Sequence, residues 1–214
     1  MHLRKFNQVR HSEMNLTEGN LFWKFGLFAL PLALTTILQL LYTTMDLWTV
    51  TTYGGGSVSM SAVGSNTALI NLIVTVFVNM SMGANVAISQ AKGANDKQRA
   101  EKVLHTSLIL ALIAGIIVGL VGFFISGKLL EIMNTPSTII DKATDYLQIY
   151  FIGLPFLMIY NYGSQILRAL GDSKKPLYIL IASGIINVAF DILLVKYAFL
   201  DVKGVAIASM SSVA

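Results

Sequence analysis

Residues 103–125 read VLHTSLILALIAGIIVGLVGFFI, an almost unbroken run of apolar residues and glycine. A membrane-spanning helix needs roughly 20 such residues, since each adds about 1.5 Å across a hydrocarbon core of about 30 Å. Similar stretches lie at 25–48, 62–91, 146–170 and 176–195, and a sixth runs from about 204 to 214. The sequence therefore predicts an all-α, polytopic membrane helical bundle of six helices, of which the last is too short to cross.

The composition supports a membrane protein. Of the 214 residues, 12% are charged and 55% are hydrophobic, and the mean hydropathy is +0.68. Soluble domains carry about 25% charged residues, so an ordinary soluble enzyme and a disordered chain are excluded. The net charge is +4, but the basic residues are too scattered to form a nucleic-acid-binding face. The lipid bilayer is the partner that this composition predicts.

The positions of the basic residues predict the topology. Most of the 15 Lys and Arg residues lie in the N-terminal tail, residues 1–20, or beside the connections after the second and fourth apolar stretches. The connections on the opposite side hold only Lys128, Lys142, Lys196 and Lys203. Cytoplasmic loops carry the excess of positive charge, so a multi-pass protein of the plasma (inner) membrane with a cytoplasmic N-terminal tail is expected.

Two carboxylates, Asp46 and Asp191, lie inside the apolar stretches. An ionisable residue at membrane depth costs at least about 2.5 kcal/mol and marks a functional site by default. Two structural interpretations remain open at this point. Asp46 could lie among the lipid headgroups, and Asp191 could form an ion pair with Lys196 or Lys203.

Helical spacing gives each carboxylate polar neighbours. Gln39 and Tyr42 share a helix face with Asp46, and Asn187 shares one with Asp191. Desolvated carboxylates that lie close together take up protons readily, and their oxygens with that of Asn187 could instead hold Na⁺. A catalytic carboxylate pair is the competing interpretation. No His or Cys lies at membrane depth to support it, so we expect a protein that is not an enzyme and uses no cofactor besides a coupling ion.

Other residues within the predicted helices give weaker signals. Asn161 and Gln165 lie one turn apart on the fourth helix and are candidates for lining a cavity. Pro31 and Pro155 interrupt the hydrogen bonding of the first and fourth helices. They could act as hinges or form static kinks.

Five short motifs occur in order along the chain. The first is the series Pro31, Gln39, Tyr42, Asp46 and Gly54, and the others are GAN at 83–85 with SQAKGA at 89–94, RALGDSKKP at 168–176, NVAFD at 187–191 and GVAIAS at 204–209. Together they resemble the multidrug and toxic compound extrusion (MATE) family of secondary transporters, from about residue 20 onward.

This resemblance implies an antiporter that exports small cationic or amphipathic compounds in exchange for H⁺ or Na⁺. It also implies an ion site in the N-terminal lobe and a neighbouring cavity. The ion site would consist of Asp46, Asn187, Asp191 and Ser209, and the cavity residues would be Gln39, Tyr42 and Asn161. Ser209 stands where the family has Thr, which keeps the hydroxyl group.

Family members have two six-helix lobes, so the resemblance implies an N-terminal lobe, residues 21–214, whose partner is the C-terminal lobe of the same protein. A half-size protein that dimerises is the alternative. A flippase for lipid-linked saccharides, a non-transporting membrane scaffold and a membrane-embedded enzyme are the competing functions. The sequence decides neither the substrate nor the choice between H⁺ and Na⁺.

Overall fold

The computed structural model describes residues 21–213, and the predicted tail, residues 1–20, lies outside the described residues. The described part consists of six α-helices, one extended by a π-helical segment, with no strand. The helices are α1 (Leu21–Tyr53), α2 (Ser57–Gly93), α3 (Lys97–Ile132), α4 (Ile140–Ala169), α5 (Lys174–Asp191, continued by the π-helix Ile192–Tyr197) and α6 (Asp201–Val213). The predicted all-α helical bundle is confirmed.

Local sequence explains where the helices begin and end. Gly56 has a φ of 65°, which glycine adopts without steric cost, and it ends the turn between α1 and α2. The carboxylate of Asp96 accepts a 3.0 Å hydrogen bond from the N–H of Arg99 and so caps the start of α3. Gly171, with a φ of 89°, turns the chain from α4 into α5. The turns are short, so consecutive helices run antiparallel.

Helix α4 lies at the centre of the bundle. It packs against α2, α3 and α6, whereas α1 packs mainly against α5. Four helices of the described chain, α1, α2, α3 and α5 with its π-helical extension, are long and apolar enough to cross a membrane. Helix α4 does not meet that hydropathy criterion, although its 30 residues would span about 45 Å. Its packing on three helices fits this composition, because polar and tyrosine residues occupy much of its buried surface while Ile152, Phe156 and Ile159 remain exposed.

The contact between α3 and α4 depends on glycines. A Cβ at Gly115 would come within 2.6 Å of the Pro155 backbone, and one at Gly122 would overlap the ring of Phe151. Gly119 lies similarly against the Phe151 carbonyl. Small residues allow close backbone approach where lipid supplies no hydrophobic driving force for association. The opposite face of α3, including Leu120 and Phe124, is exposed and suited to lipid.

Candidate functional site

Four predicted site residues from three helices meet in one cluster. Asp46 comes from α1, Asn187 and Asp191 from the end of α5, and Ser209 from α6. The Ser209 hydroxyl donates a 2.9 Å hydrogen bond to Asp46 Oδ2, and Asn187 Nδ2 donates to Ser209 Oγ at 3.4 Å. The carboxyl group of Asp191 lies near enough to that of Asp46 for the two to interact electrostatically. We call these four residues the carboxylate cluster.

The carboxylate cluster contains more acceptors than donors. Asp46 Oδ1, Asn187 Oδ1 and both oxygens of Asp191 are buried and have no hydrogen-bond partner in the described part of the chain. Leaving buried acceptors unpaired is costly, and more so when they are charged. A proton shared between the carboxyl groups, or a small hard cation among the oxygens, would satisfy them. This set of oxygen atoms therefore fits either a proton or Na⁺.

The structure does not support the interpretation of Asp191 as an ion-pair partner. The Lys196 ammonium group lies over the rings of Tyr53 and Tyr197, 5.0 and 5.4 Å from their centroids. Lys203 instead pairs with Asp145 at 3.1 Å. Asp191 is fully buried, and its two oxygens lack a partner among the described residues. The headgroup position considered for Asp46 also fits poorly, since its side chain is buried against α6.

Tyr42 fixes the position of α1 against α5. Its hydroxyl donates a 2.8 Å hydrogen bond to the Leu180 carbonyl. Its ring occupies the space that a Cβ at Gly184 would need. Asp46 lies one turn further along α1, and Asn187 one turn further along α5. The contact between Tyr42 and Gly184 therefore brings the polar faces of the two helices together.

The regular hydrogen bonding of α5 changes directly after Asp191. Residues Ile192–Tyr197 form a π-helix, an arrangement that is rare and often found at functional sites. Beyond it, Phe199 and Asp201 adopt positive φ values of 56° and 49°. Asp191 thus lies at the junction between two kinds of helix.

A cavity of about 410 Å³ opens beside the carboxylate cluster. Three residues predicted for the cavity line it, namely Gln39, Tyr42 and Asn161. Asp46, Asn187 and Ser209 also line the cavity, whereas Asp191 is fully buried and is not among the lining residues. Gln165 was predicted for the same cavity but is not among its lining residues. Its side-chain oxygen accepts a 3.2 Å hydrogen bond from Asn85 Nδ2 instead.

The sequence analysis did not identify Tyr146 and Tyr150 of α4. Both are buried and line the cavity. Tyr146 lies near enough to Asp46 and Asp191 to interact with both carboxylates electrostatically. Their spacing of one turn was a usable signal, because two tyrosines then share a helix face. Nothing in the sequence placed that face toward the carboxylates.

The two predicted hinge prolines lie inside continuous helices. Pro31 lies in α1, and its carbonyl accepts a 2.8 Å hydrogen bond from the Thr35 hydroxyl. Pro155 lies in α4, where Gly115 and Gly119 of α3 pack against it. A hinge role for either proline stays a prediction.

Comparison with known proteins places this arrangement in a family. The MatE family model matches residues 31–193, which include Asp46, the cavity-lining part of α4, and Asn187 and Asp191 of α5. The chain belongs to the MatE family. The match covers most of the chain and confirms the resemblance found in the motifs.

Individual MATE-type relatives agree with this assignment. The chain is 31% identical over 199 residues to the probable multidrug resistance protein YpnP of Bacillus subtilis. It is 28% identical over 189 residues to the probable multidrug resistance protein NorM of Thermotoga maritima. These alignments cover 92% and 86% of this chain, but only 44% and 40% of the relatives.

Solved structures show the same correspondence. A MATE transporter crystallised in the bent conformation superposes with a TM-score of 0.83 at 25% identity, over 89% of this chain and 42% of that one. A MOP superfamily transporter from Pyrococcus furiosus gives a TM-score of 0.81 at 25% identity, over 87% and 41% of the two chains. The chain thus spans less than half the length of the MATE-type proteins that it matches.

Proposed function

We propose that this chain is the N-terminal lobe of a multi-pass membrane antiporter that exports small cationic or amphipathic compounds in exchange for H⁺ or Na⁺. The observation that supports this most is the position of the carboxylate cluster. It is buried, rich in unpaired acceptor oxygens, and in contact with a cavity through Asp46, Asn187 and Ser209. The C-terminal lobe of the same protein would complete the transport path.

Coupling between ion and substrate follows because both bind to the negative charge of the Asp46 carboxylate. The Asp46 carboxylate attracts a cationic substrate from the cavity, and a proton or Na⁺ bound at the carboxylate cluster neutralises that attraction. The affinities for ion and substrate are then linked reciprocally, since each ligand weakens binding of the other by the same factor. Ion binding on one side of the membrane would thus promote substrate release.

The cavity favours an exporter of cations over a flippase for lipid-linked saccharides. A pyrophosphate-bearing lipid requires basic groups, and among the described residues the cavity lining includes Asp46 but no Lys or Arg. Its apolar and aromatic lining, including Val74, Leu157 and Tyr150, suits amphipathic compounds. Another relative at 24% identity is the FAD transporter of Shewanella oneidensis, so a flavin belongs in any panel of test substrates.

The decisive experiment is Asp191→Asn in the full-length protein, reconstituted into proteoliposomes. Export of a cationic dye is measured under an imposed pH gradient and, separately, under a Na⁺ gradient. We expect gradient-driven export to fall by at least about tenfold, the size of a typical coupling factor. Asp145→Asn is the matched control, because Asp145 is an exposed carboxylate outside the cluster. Unchanged export in Asp191→Asn would refute the proposed coupling.

The proposed orientation has its own test. The 214 residues contain no cysteine, so single cysteines can be introduced as accessibility probes. Lys97→Cys, at the α2–α3 connection, should react with a membrane-impermeant maleimide only after the cells are opened. Phe199→Cys, at the α5–α6 connection, should react in intact cells. The reverse pattern would place the N-terminus outside the cytoplasm.

A further inference from the structure

A second polar cluster lies at the end of the bundle that carries the α1–α2 and α5–α6 connections. Asp201, the first residue of α6, accepts a 2.9 Å hydrogen bond from the Gly55 N–H through Oδ1. Its Oδ2 accepts from the Ser59 hydroxyl at 2.8 Å and from the Lys142 ammonium at 2.7 Å. Lys142 also donates to Ser59 Oγ at 2.8 Å. We call these four residues the Asp201 cluster.

The Asp201 cluster connects four helix ends. Gly55 belongs to the turn after α1, Ser59 to the first turn of α2, Lys142 to the first turn of α4, and Asp201 to the first turn of α6. Charge-assisted hydrogen bonds of this kind are about twice as strong as neutral ones and fix geometry. The cluster therefore holds the start of α6 at a defined height relative to the end of α1.

The backbone around the cluster is adapted to this contact. Asp201 itself has a φ of 49°, a left-handed conformation that L-residues rarely adopt. A Cβ at Gly54 would collide with the Asp201 carboxylate, and one at Gly55 would collide with Ser59 Oγ. Strained residues persist where surrounding contacts determine them. The glycines between α1 and α2 are thus required for close approach to Asp201.

The Asp201 cluster and the carboxylate cluster join the same two helices at two heights. Ser209 lies about 12 Å beyond Asp201 along α6, and Asp46 lies about 13 Å before Gly55 along α1. The two helices run antiparallel, so the Gly55–Asp201 and Asp46–Ser209 hydrogen bonds form two successive cross-connections of matching spacing. Helix α6 otherwise packs mainly on α4 and α5, and only lightly on α1.

We propose that Asp201 is a positioning residue, which holds α6 in the axial register that brings Ser209 to Asp46. The role of that register in transport rests on the function proposed above. The contact itself is independent of it. Because direct packing between α1 and α6 is slight, losing the cross-connection at Asp201 lets the start of α6 shift and lengthens the Asp46–Ser209 contact.

The register can be measured without any transport assay. The full-length protein first has any cysteines outside the 214 residues replaced, and cysteines are then introduced as Asp46→Cys and Ser209→Cys. Membranes that contain this double variant are treated with a short bifunctional methanethiosulfonate. Both positions line the cavity and can be reached by the reagent. Adding Asp201→Ala should slow cross-linking by about tenfold or more, since a displacement of about 1 Å strongly reduces reaction between positioned groups.

The matched control is Asp145→Ala, which removes the other α4–α6 ion pair at the same end of the bundle. The Lys203–Asp145 contact is a single pair, 3.1 Å long, with side chains 52% and 41% exposed. Lys142 and Asp201 are less exposed, at 40% and 27%, and Asp201 accepts from three donors. Exposed pairs contribute little, so cross-linking should be unchanged. If Asp201→Ala does not insert, Asp201→Asn takes its place, and its cross-linking should slow by at least about twofold because the charge-assisted contacts are lost.

Cross-linking that is equally fast with and without Asp201→Ala, or with and without Asp201→Asn, overturns the positioning role. The two proposals can fail separately. If Asp201→Ala slows cross-linking but the native protein shows no ion-driven export, the positioning role of Asp201 stands and the proposed transport function is refuted. If the native protein shows ion-driven export but Asp201→Ala leaves cross-linking unchanged, the transport function stands and the positioning role is refuted. The single variant Asp201→Asn should also raise the apparent affinity for the coupling ion more than it changes maximal export, because a longer Asp46–Ser209 contact leaves the Asp46 carboxylate without its donor.

Discussion

The Ser209 hydroxyl donates a 2.9 Å hydrogen bond to the Asp46 carboxylate and joins the middle of α6 to α1. Among the described residues, it is the only donor that α6 contributes to the carboxylate cluster, which has more acceptors than donors. Ser209 Oγ also accepts a hydrogen bond from the Asn187 amide, so the hydroxyl group connects α1, α5 and α6. Changes at Ser209 therefore test the carboxylate cluster without removing a charge.

Ser209→Ala should raise the apparent affinity for the coupling ion by about five- to twentyfold, because Asp46 Oδ2 loses its donor and the unpaired buried acceptor favours the ion-bound state. Ser209→Thr keeps the hydroxyl and should restore the affinity. Ion-dependent export in proteoliposomes measures both. Ser211→Ala, at an exposed position of α6, is the control. Equal affinities in the Ala and Thr variants would show that the hydroxyl is not used.

Gly184→Ala should destabilise the protein, because the added methyl group overlaps the Tyr42 ring. Overpacking of this kind costs about 1–3 kcal/mol, which a thermal unfolding curve in detergent can resolve. Gly64→Ala is the matched control, since a Cβ there meets nothing within 4 Å. A Gly184→Ala variant as stable as Gly64→Ala would contradict the close contact between α1 and α5.

Gly122→Ala should weaken the α3–α4 interface, because its Cβ would overlap the Phe151 ring. The expected cost is again about 1–3 kcal/mol. Combining it with Phe151→Leu should recover part of the loss, since the smaller side chain leaves room for the methyl group. Thermal unfolding of the single and double variants measures this coupling. Additive losses in the double variant would show that the two residues do not share this space.

The contribution of Asp201 to stability should depend on pH. Burial opposes its charge, but hydrogen bonds from Lys142, Gly55 and Ser59 outweigh burial and hold the pKa of Asp201 below its ordinary value. A carboxyl whose folded-state pKa is lowered stabilises the fold above its unfolded value of about 3.9 and loses that effect as the pH falls through the folded-state value. The melting-temperature difference between the native protein and Asp201→Asn should therefore be constant from pH 8 to about pH 5, then shrink below about pH 4. A difference that grows on acidification would contradict this sign.

The sequence predicted the parts of this molecule that depend on helical periodicity. Asn187 and Asp191 share a face because they lie one turn apart, and apolar runs locate the lipid-facing helices. Contacts between distant segments could not be predicted in this way. Lys142 and Asp201 are 59 residues apart and each appeared as an ordinary loop charge. Tyr146 and Gln165 lie on the same helix, and only the packing of α4 shows that the first faces the cavity and the second faces α2.

The burial of Asp191 behind Asp46 has a consequence for leakage across the membrane. Asp46 borders the cavity, whereas Asp191 has no exposed surface in the described chain. In the proposed transporter, an ion that reaches Asp191 from the cavity would pass the members of the carboxylate cluster that line the cavity, Asp46 among them. A substrate seated against Asp46 would close that passage and trap any ion already behind it. If the proposed coupling holds, two carboxylates at different depths would thus limit leakage of the ion gradient while cargo occupies the cavity.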